Sequence, residues 1–331
     1  MLIDDMHEVS EKTKLVLTLL MLTGVGPAML KKLAIKTGLN SNLSDLVDLF
    51  PEKLQNSARK ELEFAELKAR EQIEMARQAN ARVLSALDGD YPQSLSRSKH
   101  DPFLIYMKGK LSGQPDKSIA IIGTRNPTTH GIISTERIAT YFVESGWSIV
   151  SGLALGCDSA AHEAALAAGG HTVAVLGHGL QTITPAQNTD LANRILAGGG
   201  ALVSQFPIGN RPSPGQYVRR DLIQAGWCRA VFMIQSGLDG GSLHASRAAI
   251  KDKRWLVIPN PTAKDRHLNS KAIQANLLLL EGDDQSRLSL LKSKNPTDLE
   301  RILSLPDKSF YRRVENKILE PTLKPGRLNQ G

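Results

Sequence analysis

Four segments of the chain follow short apolar runs and are rich in glycine: Gly123-Thr124-Arg125-Asn126-Pro127, Ser151-Gly152-Leu153-Ala154-Leu155-Gly156, Gly177-His178-Gly179 and Gly237-Leu238-Asp239-Gly240-Gly241-Ser242. Glycine lets backbone N–H groups come close to an anion, and a helix that starts just beyond adds partial positive charge. Each segment alone reads equally well as a turn from strand into helix. Taken together, they favour an edge that binds phosphate groups of an extended ligand. Arg125 carries the planar donors that suit phosphate oxygens; it reads otherwise as a surface arginine beside a carboxylate. Arg219 and Arg220 follow the loop 212–215 and open a helix. Adjacent residues on a helix point apart, so one of the two is expected to face a ligand. Tyr217 is placed either to stack on a base, which needs no sequence preference, or to pack in the core.

Other groupings resemble catalytic sites less well. Cys157, Asp158 and His162 are close in sequence, but Asp158 reads as the N-cap of a helix starting at Ser159, with His162 a polar residue on that helix. Ser204, Ser236 and Ser242 lack the GxSxG context of a hydrolase elbow. There is no GxxxxGK[ST] and no GxGxxG after the first apolar run, so neither a P-loop nor a dinucleotide fingerprint is present and no cofactor is expected. Cys157 and Cys228 are the only cysteines, without ligand spacing for zinc.

The elements that must position these residues alternate. Apolar, strand-like runs at 118–123, 147–152, 171–177, 201–206, 230–235 and 255–259 are separated by helical spacing, for example at 131–145 and 159–168. This pattern predicts an α/β fold: a Rossmann-like, doubly wound, mostly parallel sheet with helices on both faces. Ligands of such sheets bind at the carboxyl ends of the strands, where the glycine-rich segments fall. Residues 1–82 read as a small all-helical domain, with helices near 15–22, 28–37 and 57–82. Residues 83–285 hold the sheet. Beyond about residue 262 the strand pattern stops; 271–280 reads as a helix, and 286–331 as a short helix followed by a loose, basic, proline-broken tail.

A formal net charge of +8 over 331 residues permits an acidic partner and equally describes a solvated surface. The opening MLIDDMHEVSEKTK carries acids and no apolar stretch, and residues 15–22 are too short to span a bilayer, so neither a leader peptide nor a membrane partner is expected. Unpaired cysteines fit a cytoplasmic location.

At these same loops the chain resembles the DprA/Smf family of bacterial DNA-processing proteins. The likeness begins at ALDGDYP (86–92) and DPFLIYMKG (101–109) and continues through IAIIGTRNPTTHG (119–131). Its most specific stretch is IVSGLALGCDSAAHEAAL (149–166). TVAVLGHGL (172–180), PAQNTDLANRI (185–195), GALVSQFPIG (200–209), YVRRDLIQAG (217–226) and GGSLHASRAAIKDKRWLVIPNP (240–261) follow in order. The resemblance implies non-catalytic binding of single-stranded DNA, a homodimer, and delivery of strands to the recombinase RecA. The contacts it implies are Gly123, Thr124 and Arg125; Tyr217, Arg219 and Arg220; Gly241 and Ser242; and, less directly, Lys253 and Arg254; the glycine-loop reading adds Gly152.

The chain departs from the family pattern in three places. The family's Phe-Pro-x-Arg-Asn-Arg run is replaced by Tyr217-Val-Arg-Arg-Asp-Leu222, which removes positive charge at Asp221 and Leu222. Cys157 replaces a packed apolar residue. The tail is short for the winged helix that members often carry. These departures leave room for a second role, as a DprA-like antitoxin or regulatory partner of a phosphoribosyltransferase-type effector encoded alongside it in a phage-defence module. An enzymatic reading, by likeness to nucleotide phosphoribohydrolases, lacks the glutamate that a PGGxGTxxE loop supplies: the comparable stretch is Asp239-Gly-Gly-Ser-Leu-His-Ala-Ser-Arg247. Leu22-Thr-Gly-Val-Gly-Pro27 is similar to a helix-hairpin-helix turn, readable as a phosphate contact or as a tight turn within a helical interaction module.

Overall fold

The computed structural model of the chain describes residues 9–320. The readings that concern residues 1–8 and the end of the basic tail, 321–331, lie outside the described residues. Four helices come first: α1 (Glu11–Met21), α2 (Pro27–Thr37), α3 (Leu43–Asp48) and α4 (Glu52–Gln78). The sheet unit follows as β1 (Arg82–Ser85), α5 (Gln93–Ser96), β2 (Leu104–Gly109), β3 (Ser118–Ile122), α6 (Thr129–Glu144), β4 (Ser148–Ser151), α7 (Cys157–Ala167) and β5 (Thr172–Leu176). It continues with α8 (Thr189–Ala197), β6 (Ala201–Ser204), α9 (Pro214–Trp227), β7 (Ala230–Met233), α10 (Leu243–Lys251) and β8 (Trp255–Pro259). The last elements are α11 (Ala263–His267), α12 (Gln274–Glu281), α13 (Asp284–Leu291), β9 (Ile302–Leu305) and α14 (Tyr311–Leu319).

The sheet has the order β1-β2-β6-β5-β4-β3-β7-β8-β9. Strands β3 to β8 that pair with one another do so in parallel, whereas β2 runs antiparallel to both β1 and β6. Every residue of β3, β4, β5, β7 and β8 is buried, which is why those runs are uniformly apolar rather than alternating. Ile119, Ile121, Ile149 and Phe232 face α6 and α7 on one side. Ala120, Val150, Val173 and Val231 face α9 and α10 on the other. The fold is the doubly wound, Rossmann-like one expected, preceded by a helical region. Strand order reverses between β3 and β7, which makes their carboxyl ends the crevice where such sheets take ligands.

The helical region packs directly on this sheet. α4 turns a seam of Ala58, Ala65, Ala69 and Ala76 inward; their small side chains let a long charged helix lie close. One apolar cluster runs from Val16 and Leu17 of α1 through that seam to Leu104, Tyr106 and Leu176 of the sheet. Thr13 Oγ1 also donates to Asp88 Oδ2 at 2.5 Å, beside Ser85 of β1.

The segment expected to be a loose tail differs from that reading. Residues 302–305 form β9, parallel to β8, and α14 turns Tyr311, Val314 and Ile318 onto the sheet. Its run of four residues is too short to signal a strand alone; the pairing with β8 supplies what local pattern does not.

Candidate nucleic-acid interface

At the crevice, three loops are fastened to one another. Thr124 N donates to the Gln235 carbonyl at 2.8 Å, and Thr128 N to Gln235 Oε1 at 2.9 Å. Gln235 Nε2 returns a bond to Thr128 Oγ1 at 2.8 Å, and the same oxygen caps α6 by accepting from Gly131 N. Cys157 N donates to the Thr124 carbonyl at 3.2 Å. Gly156, with φ +83°, lets the loop after β4 come this close. A Cβ there would lie 2.5 Å from Thr124 O and 2.6 Å from Arg125 O. On this fixed base Gly123 and Thr124 are partly buried and Arg125 is exposed. Among the described residues no carboxylate lies within 4.0 Å of Arg125. Its Cζ is 6.0 Å from the centre of the Tyr217 ring.

Tyr217 is partly buried and seated on Gly177, where a Cβ would meet Tyr217 Cδ1 at 2.8 Å. The two arginines beyond it separate as helical spacing requires. Arg219 is exposed, with its Cζ 5.1 Å from the Phe206 ring centre and Nη2 3.5 Å from Gln205 Oε1. Arg220 is buried. Its Nη1 donates to the carbonyls of Gly152 and, at 2.9 Å, Val175, while Nε donates to Asp221 Oδ1 at 2.9 Å. The guanidinium passes over Gly152, where any Cβ would collide with it. It therefore ties together the ends of β4 and β5 from inside.

Two carboxylates share the charge of Arg220. Burial pushes Asp158 up to about 6, with Arg220 pulling the other way, and Gly152 N donates to its Oδ2 at 3.2 Å. Burial likewise holds Asp221 above the usual carboxylate range, opposed by Arg220 and Arg125. Asp158 is not the N-cap: α7 starts at Cys157 with Gly156 as its cap, so Asp158 falls in the first turn and points inward. His162 is buried too. Its Nδ1 is 2.7 Å from Thr172 Oγ1, and burial depresses it to about 3. Burial raises the Cys157 thiol to about 12, which leaves it protonated. Among the described residues no three His, Cys, Asp or Glu side chains are grouped so as to hold a metal ion.

Gly241 is exposed at the start of α10, next to Ser242, whose Oγ donates to Ser236 Oγ at 2.8 Å. This loop lies at the same carboxyl edge. Lys253 and Arg254 do not: they precede β8 and so sit at the amino end of the strands. Lys253 Nζ pairs with Asp298 at 2.5 Å, and Arg254 Nη2 donates to the Ser94 carbonyl at 2.9 Å. The edge thus gathers Gly123, Thr124, Arg125, Tyr217, Arg219, Gly241 and Ser242, with Gly152 and Arg220 beneath it. Sequence reasoning missed Gln235, whose only signal was a polar residue ending an apolar run. It crosses 107 positions to hold the Arg125 loop. Exposed guanidiniums, an aromatic ring and backbone donors in a row can bind a chain of phosphates with bases between them.

The match to known proteins covers the same elements. The family model for DNA recombination-mediator protein A matches residues 82–283. Protein Smf of Synechocystis sp. is 34% identical over 74% of this chain, and Protein Smf of Escherichia coli is 31% identical over 74%; in each case the alignment covers 64% of the relative. The chain therefore spans just under two thirds of the length of these curated relatives. The crystal structure of DNA processing protein A from Streptococcus pneumoniae is 25% identical, with a TM-score of 0.65, covering 82% of this chain and 98% of that one. DNA processing protein A from Helicobacter pylori, a protein with a single-stranded DNA binding mode, shares the fold at a TM-score of 0.56 and 22% identity, over 71% of this chain and 96% of its own.

Proposed function

This chain belongs to the DNA recombination-mediator protein A family, and on that premise we propose that its carboxyl sheet edge binds single-stranded DNA through the phosphate backbone, without cleaving it. The observation that carries the proposal is Arg125: an exposed guanidinium at the point of strand-order reversal, with no carboxylate within 4.0 Å among the described residues and an aromatic ring beside it. A strand laid along the edge would meet Arg125, pass Tyr217 and reach Arg219. The ring of Tyr217 offers a stacking face, and the loop amide of Gly241 offers a donor. Stacking and phosphate contacts need no particular base, so the binding is expected to be tolerant of sequence.

As a mediator, the protein would hold strands as a homodimer in the cytoplasm and pass them to the recombinase RecA. Sedimentation checks the first part, and RecA filament formation on protein-coated strands checks the second. The direct test is a salt series of binding to single-stranded and duplex DNA. Affinity should fall with salt at a log–log slope of about −0.7 per neutralised phosphate, and single strands should be preferred. Arg125→Ala should make that slope shallower by about 0.7 while leaving the melting temperature alone. Lys253→Ala should leave the slope unchanged. Unaltered binding by Arg125→Ala would remove the central contact and the proposal with it.

A further inference from the structure

Arg219 borders a second feature. Between α2, residues 97–102 and the middle of α9 lies a cleft of about 640 Å³. Its walls carry Lys31, Lys32, Arg97, Lys99 and Arg219 against a single carboxylate, Asp101. Lys32 and Lys99 are exposed, with no carboxylate within 4.0 Å among the described residues. Such an excess of one sign in a concave place draws in a polyanion.

The cleft is built, not incidental. Lys31 Nζ donates to the Ser96 carbonyl at 2.6 Å and lies 3.6 Å from Asp101 Oδ2, which clamps α2 to the opposite wall. That wall is itself fixed: Asp101 Oδ1 accepts from Tyr91 OH at 2.6 Å and from Phe103 N at 2.9 Å, and Asp252 accepts from Ser98 Oγ and Lys99 N. Apolar groups complete the lining, including Pro102, Leu222 and Ile35, the last 74% exposed. Two buried polar atoms of lining residues, His100 Nε2 and Gln205 Nε2, make no hydrogen bond among the described residues. Exposed cations beside apolar surface suit a nucleotide, which offers a flat base and a phosphate.

We infer that a single strand bound at the sheet edge continues past Arg219 into this cleft, so that the helical domain forms one wall of the DNA site. Gln205 links the two parts, since it contacts Arg219 and lines the cleft. The inference rests on the single-strand reading of the edge and extends it to the helical region.

The test is binding of oligothymidylates of about 4 and about 16 nucleotides, a short strand that the edge alone can hold and one long enough to run on. The Lys32→Ala/Lys99→Ala pair should bind the short strand as wild type does. On the long strand its salt slope should be shallower by about 1.4, two contacts' worth. Lys99→Glu alone should weaken the long strand further than Lys99→Ala, which separates charge from any loss of fold. Equal long-strand binding by wild type and the double variant, with Arg125→Ala still defective, overturns the cleft and leaves the edge standing. The same holds if the double variant loses both lengths equally. Failure of wild type to bind either strand overturns both readings.

Discussion

A guanidinium as buried as Arg220, at 5% exposure, has to find all its partners inside the protein. It does so with two carbonyls and Asp221, beside Asp158. Arg220→Ala would leave two buried carboxylates without their cation. We expect a stability loss of roughly 3–5 kcal/mol, read from chemical denaturation, against little change for Arg219→Ala. A binding defect in Arg220→Ala that came without destabilisation would contradict this assignment. Helical geometry told in advance that the two arginines diverge; which one turned inward depended on Gly152 and Asp221, and a single sequence does not show that. His162 gives a pH-dependent prediction. Its ordinary value is 6.5 and the fold depresses it to about 3, so the unfolded chain takes up a proton over a range where the folded chain does not. Its contribution to stability is therefore lost as pH falls from 6.5 toward 3. Asp158 acts in the opposite sense, because its pKa is raised; its contribution is lost as pH rises through about 6. In the difference between His162→Gln and wild type, the Asp158 effect is common to both. The variant should gain on wild type by about 1.4 kcal/mol per pH unit below 6.5, measured as denaturation midpoints across pH. A difference that stays flat with pH would show that His162 is not held neutral.

The loop after β3 owes its position to neighbours rather than to its own sequence. Gly156 approaches it from the loop after β4, and Gln235 from the end of β7. Gly156→Ala combines a left-handed backbone, at roughly 1–2 kcal/mol, with a steric push on the carbonyls of Thr124 and Arg125. We expect it both to lower stability and to weaken single-strand binding, because the displaced peptide carries Arg125. Full affinity in a destabilised Gly156→Ala protein would mean that the loop tolerates the shift. The central strands were legible because they are buried on both faces and read as unbroken apolar runs. β1 and β2 were not, since they join the sheet antiparallel through pairings with each other and with β6. β9 was hidden by its brevity and by its three incompletely buried residues. By the order of strand and loop, Arg125 and the Ser242 loop fall at the carboxyl edge of the sheet, whereas Lys253 and Arg254, which stand before a strand rather than after it, fall at the amino edge.

Across the whole chain, the excess of eight positive charges is distributed unevenly in its effect. Several cations are spent on their own chain, as Lys253, Arg254 and Arg220 are, while Arg125, Arg219, Lys32 and Lys99 are exposed with no carboxylate within 4.0 Å among the described residues. Composition permitted a polyanionic partner but said nothing about this sorting, because it arises from contacts between elements far apart in sequence. Among the described residues no helix is long and apolar enough to cross a membrane. The alanine seam of α4 has a practical outcome. Leu104, Tyr106 and Leu176 belong to the same cluster as that seam. A chain trimmed to start at the first strand would uncover this greasy flank to water and invite clumping. The helices therefore act as a roof that cannot be lifted to see what lies beneath, and any division of labour between roof and floor has to be read from single substitutions in the intact protein.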